Sequence, residues 1–393
     1  MLSADELEGY IEKTGMQNLW QVERDYLQHS ILRAIYSKVS DGLVFKGGTA
    51  LQKFGIVNRF SIDLDFTSSL SNDKLLALAA HVSGFLGDLG IRNVYSHKGL
   101  GAERGKSAEV NFEIEGPNFA ASRSEKAKAK IKLQISRREA VLLGQKAESV
   151  NPIYRDIPPY VVAAMHMEEI AAEKVRAIMT RDKPRDVYDL SVLVKKGYSL
   201  LEFLVRKKLE NYEAFSIEGF EKAMDKKSRL WDSELKNLLY YNQGIKTDLP
   251  KFEDAKSSIL GFFKDNISLT AEFDLAGQWL HNDRGKTVMA ESLAALNDNV
   301  KIEGVHVYPP FDARIIAFFY AKYEGMHMEV YESGNPLMEL PGAIAFPQST
   351  ESLGLRNVHV KKGADVYFQL FMENKGVKPE GIAYASVVLE SIR

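Results

Sequence analysis

Apolar and polar residues alternate without a break from Phe60 to Phe66. Phe60, Ile62, Leu64 and Phe66 are apolar, and Ser61, Asp63 and Asp65 stand between them. A period of two predicts a half-buried strand, with Arg59, Ser61, Asp63 and Asp65 sharing the face opposite the apolar anchors. Helical patterning precedes and follows it, over Asp5 to Lys13, Gln21 to Ser37 and Asn72 to Leu89. Further strands are expected around Asn93 to His97, Ala108 to Glu115 and Lys128 to Ser136, giving a mixed sheet flanked by helices. From Met167 to about Ile267 the pattern is helical, and it includes Leu200 to Lys208, Ile217 to Trp231 and Phe252 to Phe263. Beyond Ser268 short strands separated by Gly, Pro and Asn follow an expected helix, Lys286 to Leu296. The expected architecture is therefore α/β (α+β) with three parts. Residues 1–150 form a sheet domain, 151–267 a helical domain closing one side of it, and 268–393 a β-rich domain of unassigned role.

The two carboxylates of the alternating strand give this outline a chemistry. Asp63 and Asp65 point the same way, and two like charges that close stay ionised together only beside a compensating cation or basic groups. Mg²⁺, or Mn²⁺ in its place, suits such a pair, because it binds through one or two carboxylates together with substrate phosphates. Just upstream, the apolar run Leu43 to Phe45 leads into Lys46-Gly47-Gly48-Thr49 and a helical stretch from Ala50 to Phe54. Glycines there admit close approach, and backbone N–H groups at the start of a helix cradle anionic oxygens. Alone, a Gly-Gly-Thr turn is usually only a turn, and an Asp-x-Asp strand is often an exposed edge or a fragment of a Ca²⁺ loop. Joined, they predict a nucleotide site of Lys46, Gly47, Gly48, Thr49, Arg59 and Ser61 with a metal on Asp63 and Asp65.

Gly48-Thr49 followed by Asp63-Leu64-Asp65 resembles the signature of the nucleotidyltransferase superfamily that includes DNA polymerase beta. The longer run from Val22 to Phe66 resembles, more narrowly, the AbiEii/AbiGii and MenT type nucleotidyltransferase toxins of bacterial toxin–antitoxin and phage-defence systems, and the likeness spans roughly residues 18 to 200. It implies that Lys174, set within the apolar stripe of Ile170, Ala171, Ala177 and Ile178, faces the phosphates of an NTP. The residue-level alternative is a lysine whose stem packs while its ammonium reaches water. It also implies that Asp186, in Arg185-Asp186, helps activate an attacking hydroxyl, although Asp186 and Asp189 equally suit the first turns of a helix opened by Pro184. The resemblance further implies transfer of NMP to an RNA acceptor, with the tRNA 3′ end leading, a block of translation, and a separately encoded antitoxin. Modification of a protein side chain or a small molecule, or an inactive nucleotide-binding scaffold, are the alternatives. One departure stands out: relatives carry a third acid about where this chain has Gln134, which brings no charge and cannot act as a base. Glu113 is a possible substitute.

Composition bounds the remainder. The 393 residues are 45% hydrophobic with a net charge of −2, which favours a large core over a general nucleic-acid binder. The row Lys126, Lys128, Lys130 and Lys132 is either a local basic track or the lysine-rich guard of an edge strand. The chain has no cysteine, which excludes thiolate sites and disulfides, and it shows neither a signal-like start nor a membrane-length apolar run, so a cytoplasmic setting is expected. His306, His327 and His359 fall in strand patterns and read as surface residues more readily than as metal ligands.

Overall fold

A computed structural model describes residues 1–101, 105–242, 245–246, 249–274, 279–281, 287–289, 293–295, 301–303, 306–320, 326–333, 335–341, 358–372 and 382–392. Two short helices, α1 (Ala4–Glu8) and α2 (Ile11–Thr14), open the chain where one helix was expected. A capping box between Ser3 and Glu6 starts α1, and Gly15, at φ 72°, ends α2. Helix α3 (Leu19–Tyr36) begins at Asn18, whose side chain accepts from the Gln21 N–H. It is buried on nearly every side, polar residues included.

Strand β1 (Leu43–Lys46) runs directly into α4 (Gly47–Lys53), so the expected turn between strand and helix is absent. There follow β2 (Leu64–Ser68), α5 (Asn72–Asp88), β3 (Arg92–Lys98), β4 (Ser107–Glu115), α6 (Pro117–Ser122), β5 (Ala129–Ser136), β6 (Gln145–Val150) and β7 (Tyr160–Met165). These strands form one seven-stranded sheet in the order β3-β4-β5-β2-β1-β7-β6. It is mixed: β2 runs parallel to β5 and β1 to β7, while the other neighbours are antiparallel. Because β7 pairs with β1 beside the site, the sheet continues past the expected boundary at residue 150.

The strand expected from Phe60 begins only at Leu64. The amide of Gln28 donates to the carbonyls of Ser61 and Ile62, and the Ser61 N–H donates to Gln52 Oε1. Side chains of α3 and α4 thus satisfy this backbone, so it has no need of a strand ladder. The alternation survives as burial: Phe60, Leu64 and Phe66 are at most 1% exposed.

Six helices come next: α7 (Met167–Thr180), α8 (Pro184–Lys195), α9 (Glu202–Leu209), α10 (Ile217–Asp225), α11 (Trp231–Leu235) and α12 (Phe252–Asp265). Their apolar faces share one continuous core with the sheet, which includes Ile170, Leu190, Leu204, Phe220 and Ile259. The C-terminal part is β-rich, as expected. Ile267–Asp274, Ala313–Tyr320 and Ile382–Ser391 pair in a five-stranded sheet, and a second sheet is built on Val366–Met372. The helix expected over 286–296 is not what its described residues form. Thr287–Met289 and Leu293–Ala295 are strands, paired with Leu370–Met372 and Leu269–Ala271. Short apolar runs do not distinguish strand from helix by period, and here the available ladders decide. Among the described residues, no helix is long and apolar enough to cross a membrane.

Candidate active site

Register across the sheet builds the site. Lys46 on β1 stands opposite Asp65 on β2, Asp65 opposite Gln134 on β5, and Gln134 opposite Glu109 on β4. Paired residues of neighbouring strands share a face, so these four side chains form a row across the sheet. The row floors a cleft of about 350 Å³, which Gly47, Gly48, Arg59, Ser61, Asp63, Lys174, Arg138, Arg181 and Arg185 also line.

The glycines are required by this closeness. Gly47 has φ +78°, and a Cβ there would lie 2.5 Å from Asp65 Oδ2. A Cβ on Gly48 would strike the Arg59 guanidinium. Thr49 does not line the cleft: it is fully buried, and its hydroxyl donates to the backbone carbonyl of Asp63. It fixes the carboxylate from behind.

Asp65 in the row and Asp63 beside it are short of positive charge. Burial, with Asp63 nearby, pushes Asp65 up to about 6, against the pull of Lys46. Lys46 is itself drawn away, since its ammonium lies 2.7 Å from Glu173. Burial opposes ionisation of Glu173 too, but Lys46 and Lys208 hold it down at about 2. Asp63 receives a hydrogen bond of 3.0 Å from Gln134 Nε2. Gln134 therefore acts as a donor where a third acid was expected. Glu113 does not take that place; it sits farther along β4 opposite Lys130 and pairs with Lys128 and Lys130 at 3.7 and 3.8 Å. Glu109 occupies the neighbouring position in the row. Its place was not legible in AEVNFEIEG, because Glu109 and Glu113 share one face of the strand and only the register with β5 decides which of them stands beside Gln134.

Behind the cleft, α7 and α8 hold a second carboxylate pair in the opposite condition. Asp186 and Asp189 are completely buried. Lys174 Nζ lies 2.9 Å from Asp186 and 2.6 Å from Asp189. Arg181 donates to both oxygens of Asp186 at 2.8 and 2.9 Å, and Arg59 to both oxygens of Asp189 at 2.6 Å. Burial alone would raise these acids, but Lys174 and Arg181 hold Asp186 well below the usual carboxylate range, and Arg59 and Lys174 lower Asp189. Asp186 lies behind the cleft lining, with Lys174, Arg181 and Arg185 in front of it. Pro184 starts α8 and Arg181 ends α7, so one tight connection delivers both halves of the cluster.

Among the described residues, no group of three or more His, Asp and Glu is arranged as a metal cage. The residues that suit a divalent cation are Asp63 and Asp65, whose mutual repulsion is incompletely offset and whose oxygens match a metal that completes its shell with water and phosphate.

A mixed sheet with a glycine-opened helix and an acid pair at its cleft defines the nucleotidyltransferase class of protein. The family is the AbiEii nucleotidyl transferase toxins of type IV toxin–antitoxin systems, whose model matches residues 30–258, and the chain belongs to it. Among solved structures, MenT4, a nucleotidyltransferase toxin from Mycobacterium tuberculosis H37Rv, is 18% identical, with 67% of this chain and 89% of that one covered and a TM-score of 0.41. JHP933 from Helicobacter pylori is 21% identical, with 63% and 92% covered and a TM-score of 0.41. A search of curated proteins finds no match.

Proposed function

We propose that this protein transfers a nucleoside monophosphate from an NTP to the end of an RNA, with the tRNA 3′ end as the leading acceptor, and so blocks translation until an antitoxin neutralises it. The observation that carries the reading is the row Lys46, Asp65, Gln134 and Glu109 with Asp63 beside it, an acid pair short of cations at the floor of a cleft rimmed by arginines. Asp63 and Asp65 are the residues that would hold Mg²⁺ or Mn²⁺, which when bound neutralises triphosphate charge. Lys46, Gly47, Gly48 and Ser61 flank the triphosphate, and Lys174, Arg181 and Arg185 face the charge that develops on it.

In the transfer, the acceptor hydroxyl oxygen bonds to the α-phosphorus while the bond from that phosphorus to the bridging oxygen breaks. Pyrophosphate departs with the electron pair. The hydroxyl proton goes to Glu109, the carboxylate of the row that stands next to Gln134. Asp186 works indirectly, holding Lys174 and Arg181 in place, since its oxygens already accept three charge-assisted hydrogen bonds. Arg59 and Thr49 serve as supports for the phosphate-facing residues.

The test is incubation with α-labelled NTPs, divalent metal, total RNA and cell protein. The proposal expects label in RNA, lost in Asp63→Asn and reduced about a hundredfold in kcat in Glu109→Gln. Label in protein alone would overturn the RNA acceptor.

A further inference from the structure

A second cavity, of about 620 Å³, adjoins the nucleotide cleft on the same face of the sheet. The two meet at Ile62 and Asp63, which line both. Glu109 and Asn111 are successive positions on that face of β4, one in each cavity. A group seated in the second cavity therefore reaches Asp63 from the β4 and β5 side of β2, away from β1 and the glycines that follow it.

The lining has a definite chemistry. Trp20, at the start of α3, is 42% exposed, and Val94 on β3 is 66% exposed. Both line the second cavity, where they give it an open apolar wall. Trp20 is held in place by the Phe60 ring edge at 5.6 Å and by the Arg24 guanidinium stacked 4.3 Å from its centroid. Arg24 is 8% exposed, and its buried Nε has no hydrogen-bond partner. Asn111 and Ser96 supply neutral polar groups, and Lys130, 75% exposed, lines the cavity with Lys132. An indole platform, neutral donors and acceptors, and lysines at the mouth together match an unpaired nucleotide: a base to stack and a phosphate to neutralise. Asp63 and Glu113 are outnumbered by Arg24, Lys130 and Lys132, so the cavity favours an anion over a cationic small molecule.

We infer that this cavity is the acceptor site, and that it holds an unpaired base at the end of the acceptor RNA against Trp20 with Lys130 and Lys132 on its phosphates. The inference rests on the RNA-acceptor reading above and adds to it the residues that select a single-stranded end. It also gives a function to Lys130 and Lys132, which guard no edge because β5 is an interior strand paired with β4 and β2.

Two readouts test it, transfer to deacylated total tRNA and quenching of tryptophan fluorescence by the trinucleotide CCA. Trp20→Ala is expected to raise the KM for tRNA roughly 5- to 150-fold, the range of one lost stacking contact, with the KM for NTP unchanged. Trp20→Phe, which keeps a ring in the same packing, is expected to retain most of the affinity. Lys130→Glu, at an exposed position that leaves the core intact, is expected to weaken tRNA binding and flatten its salt dependence. CCA is expected to quench the wild type and not Trp20→Phe, which retains the other tryptophans. Unchanged tRNA KM and unchanged quenching in both Trp20 variants, with transfer to RNA intact in the wild type, would overturn the acceptor pocket alone. A wild type that labels no RNA yet is quenched by CCA through Trp20 would support the pocket and sink the transfer reading. Label in protein or a small molecule, without that quenching, would sink both.

Discussion

Two pairs of aspartates stand at one cleft, Asp63 and Asp65 lining it and Asp186 and Asp189 buried behind the lining, and their surroundings are opposite. Asp186 and Asp189 on α8 are fully buried and share three cations, Lys174, Arg181 and Arg59. Asp63 and Asp65 at the head of β2 share none directly: Lys46 is committed to Glu173, and Gln134 gives Asp63 a hydrogen bond but no charge. A buried acid with its cations in place is finished as chemistry and serves as a brace. An acid pair left short of cations has a free energy to gain from one, and that gain is available to a metal and its nucleotide. The difference teaches that sequence motifs rich in Asp must be sorted by what already neutralises them.

The contrast can be broken most directly at the sheet pair. Asp63→Asn or Asp65→Asn is expected to lower transfer about a thousandfold or more, roughly 4 kcal/mol of barrier, while thermal stability is unchanged or higher, because a poorly compensated charge is removed. A marked fall in stability would show that these acids are braces too. The α8 pair is expected to behave the other way. Asp189→Ala leaves Arg59 and Lys174 buried and uncompensated and is expected to cost about 3–5 kcal/mol in urea unfolding. A loss below about 1 kcal/mol would remove the distinction between the pairs.

A third buried cluster sharpens the comparison through pH. Asp25 on α3 is paired with Lys53 at 2.5 Å and bonded by Gln52 and Tyr154, and His29 lies beside it with its Nδ1 against the Tyr160 hydroxyl. Burial, with Lys53 adding to it, pushes the His29 imidazole down to about 4. Above pH 6.5 the ring is neutral in both folded and unfolded chains. As pH falls from 6.5 towards 4 the unfolded chain takes up a proton that the folded chain refuses, so stability drops, by up to about 3 kcal/mol. Denaturant titrations across that window check this, and His29→Gln is expected to flatten the slope; an equal slope in the variant would place the effect elsewhere. The smallest effect belongs to Gln134→Asp, which supplies the third acid expected at this position and is expected to tighten divalent cation binding roughly tenfold. Weaker binding would mean that the Gln134 donor organises Asp63 for the metal.

Much of this was legible beforehand, for identifiable reasons. The alternation from Phe60 to Phe66 placed both carboxylates on one face, and the glycines before α4 foretold a close approach that the Gly47 geometry explains. The helix carrying Lys174 and the Pro184 start of α8 also emerged from periodicity and capping. What could not be read was partnership. Whether Lys174 snorkels, meets phosphate or pairs with Asp186 and Asp189 depends on contacts made between α7 and α8, and whether Glu109 or Glu113 lies beside Gln134 depends on a register between β4 and β5 that one strand cannot encode. Thr49 was expected in the cradle because it follows the glycines, but helical phase from Gly47 turns its hydroxyl back to Asp63.

The uncompensated pair, and not the saturated one, is expected to receive the metal and nucleotide. A crystal structure of the protein with Mn²⁺ and a non-hydrolysable NTP, read by anomalous scattering, tests it. Manganese is expected on Asp63 and Asp65, with the triphosphate along Lys46, Gly47 and Gly48 and the Asp186 and Asp189 ion pairs intact. Manganese bound by Asp186 or Asp189, or a triphosphate away from the glycines, would contradict it.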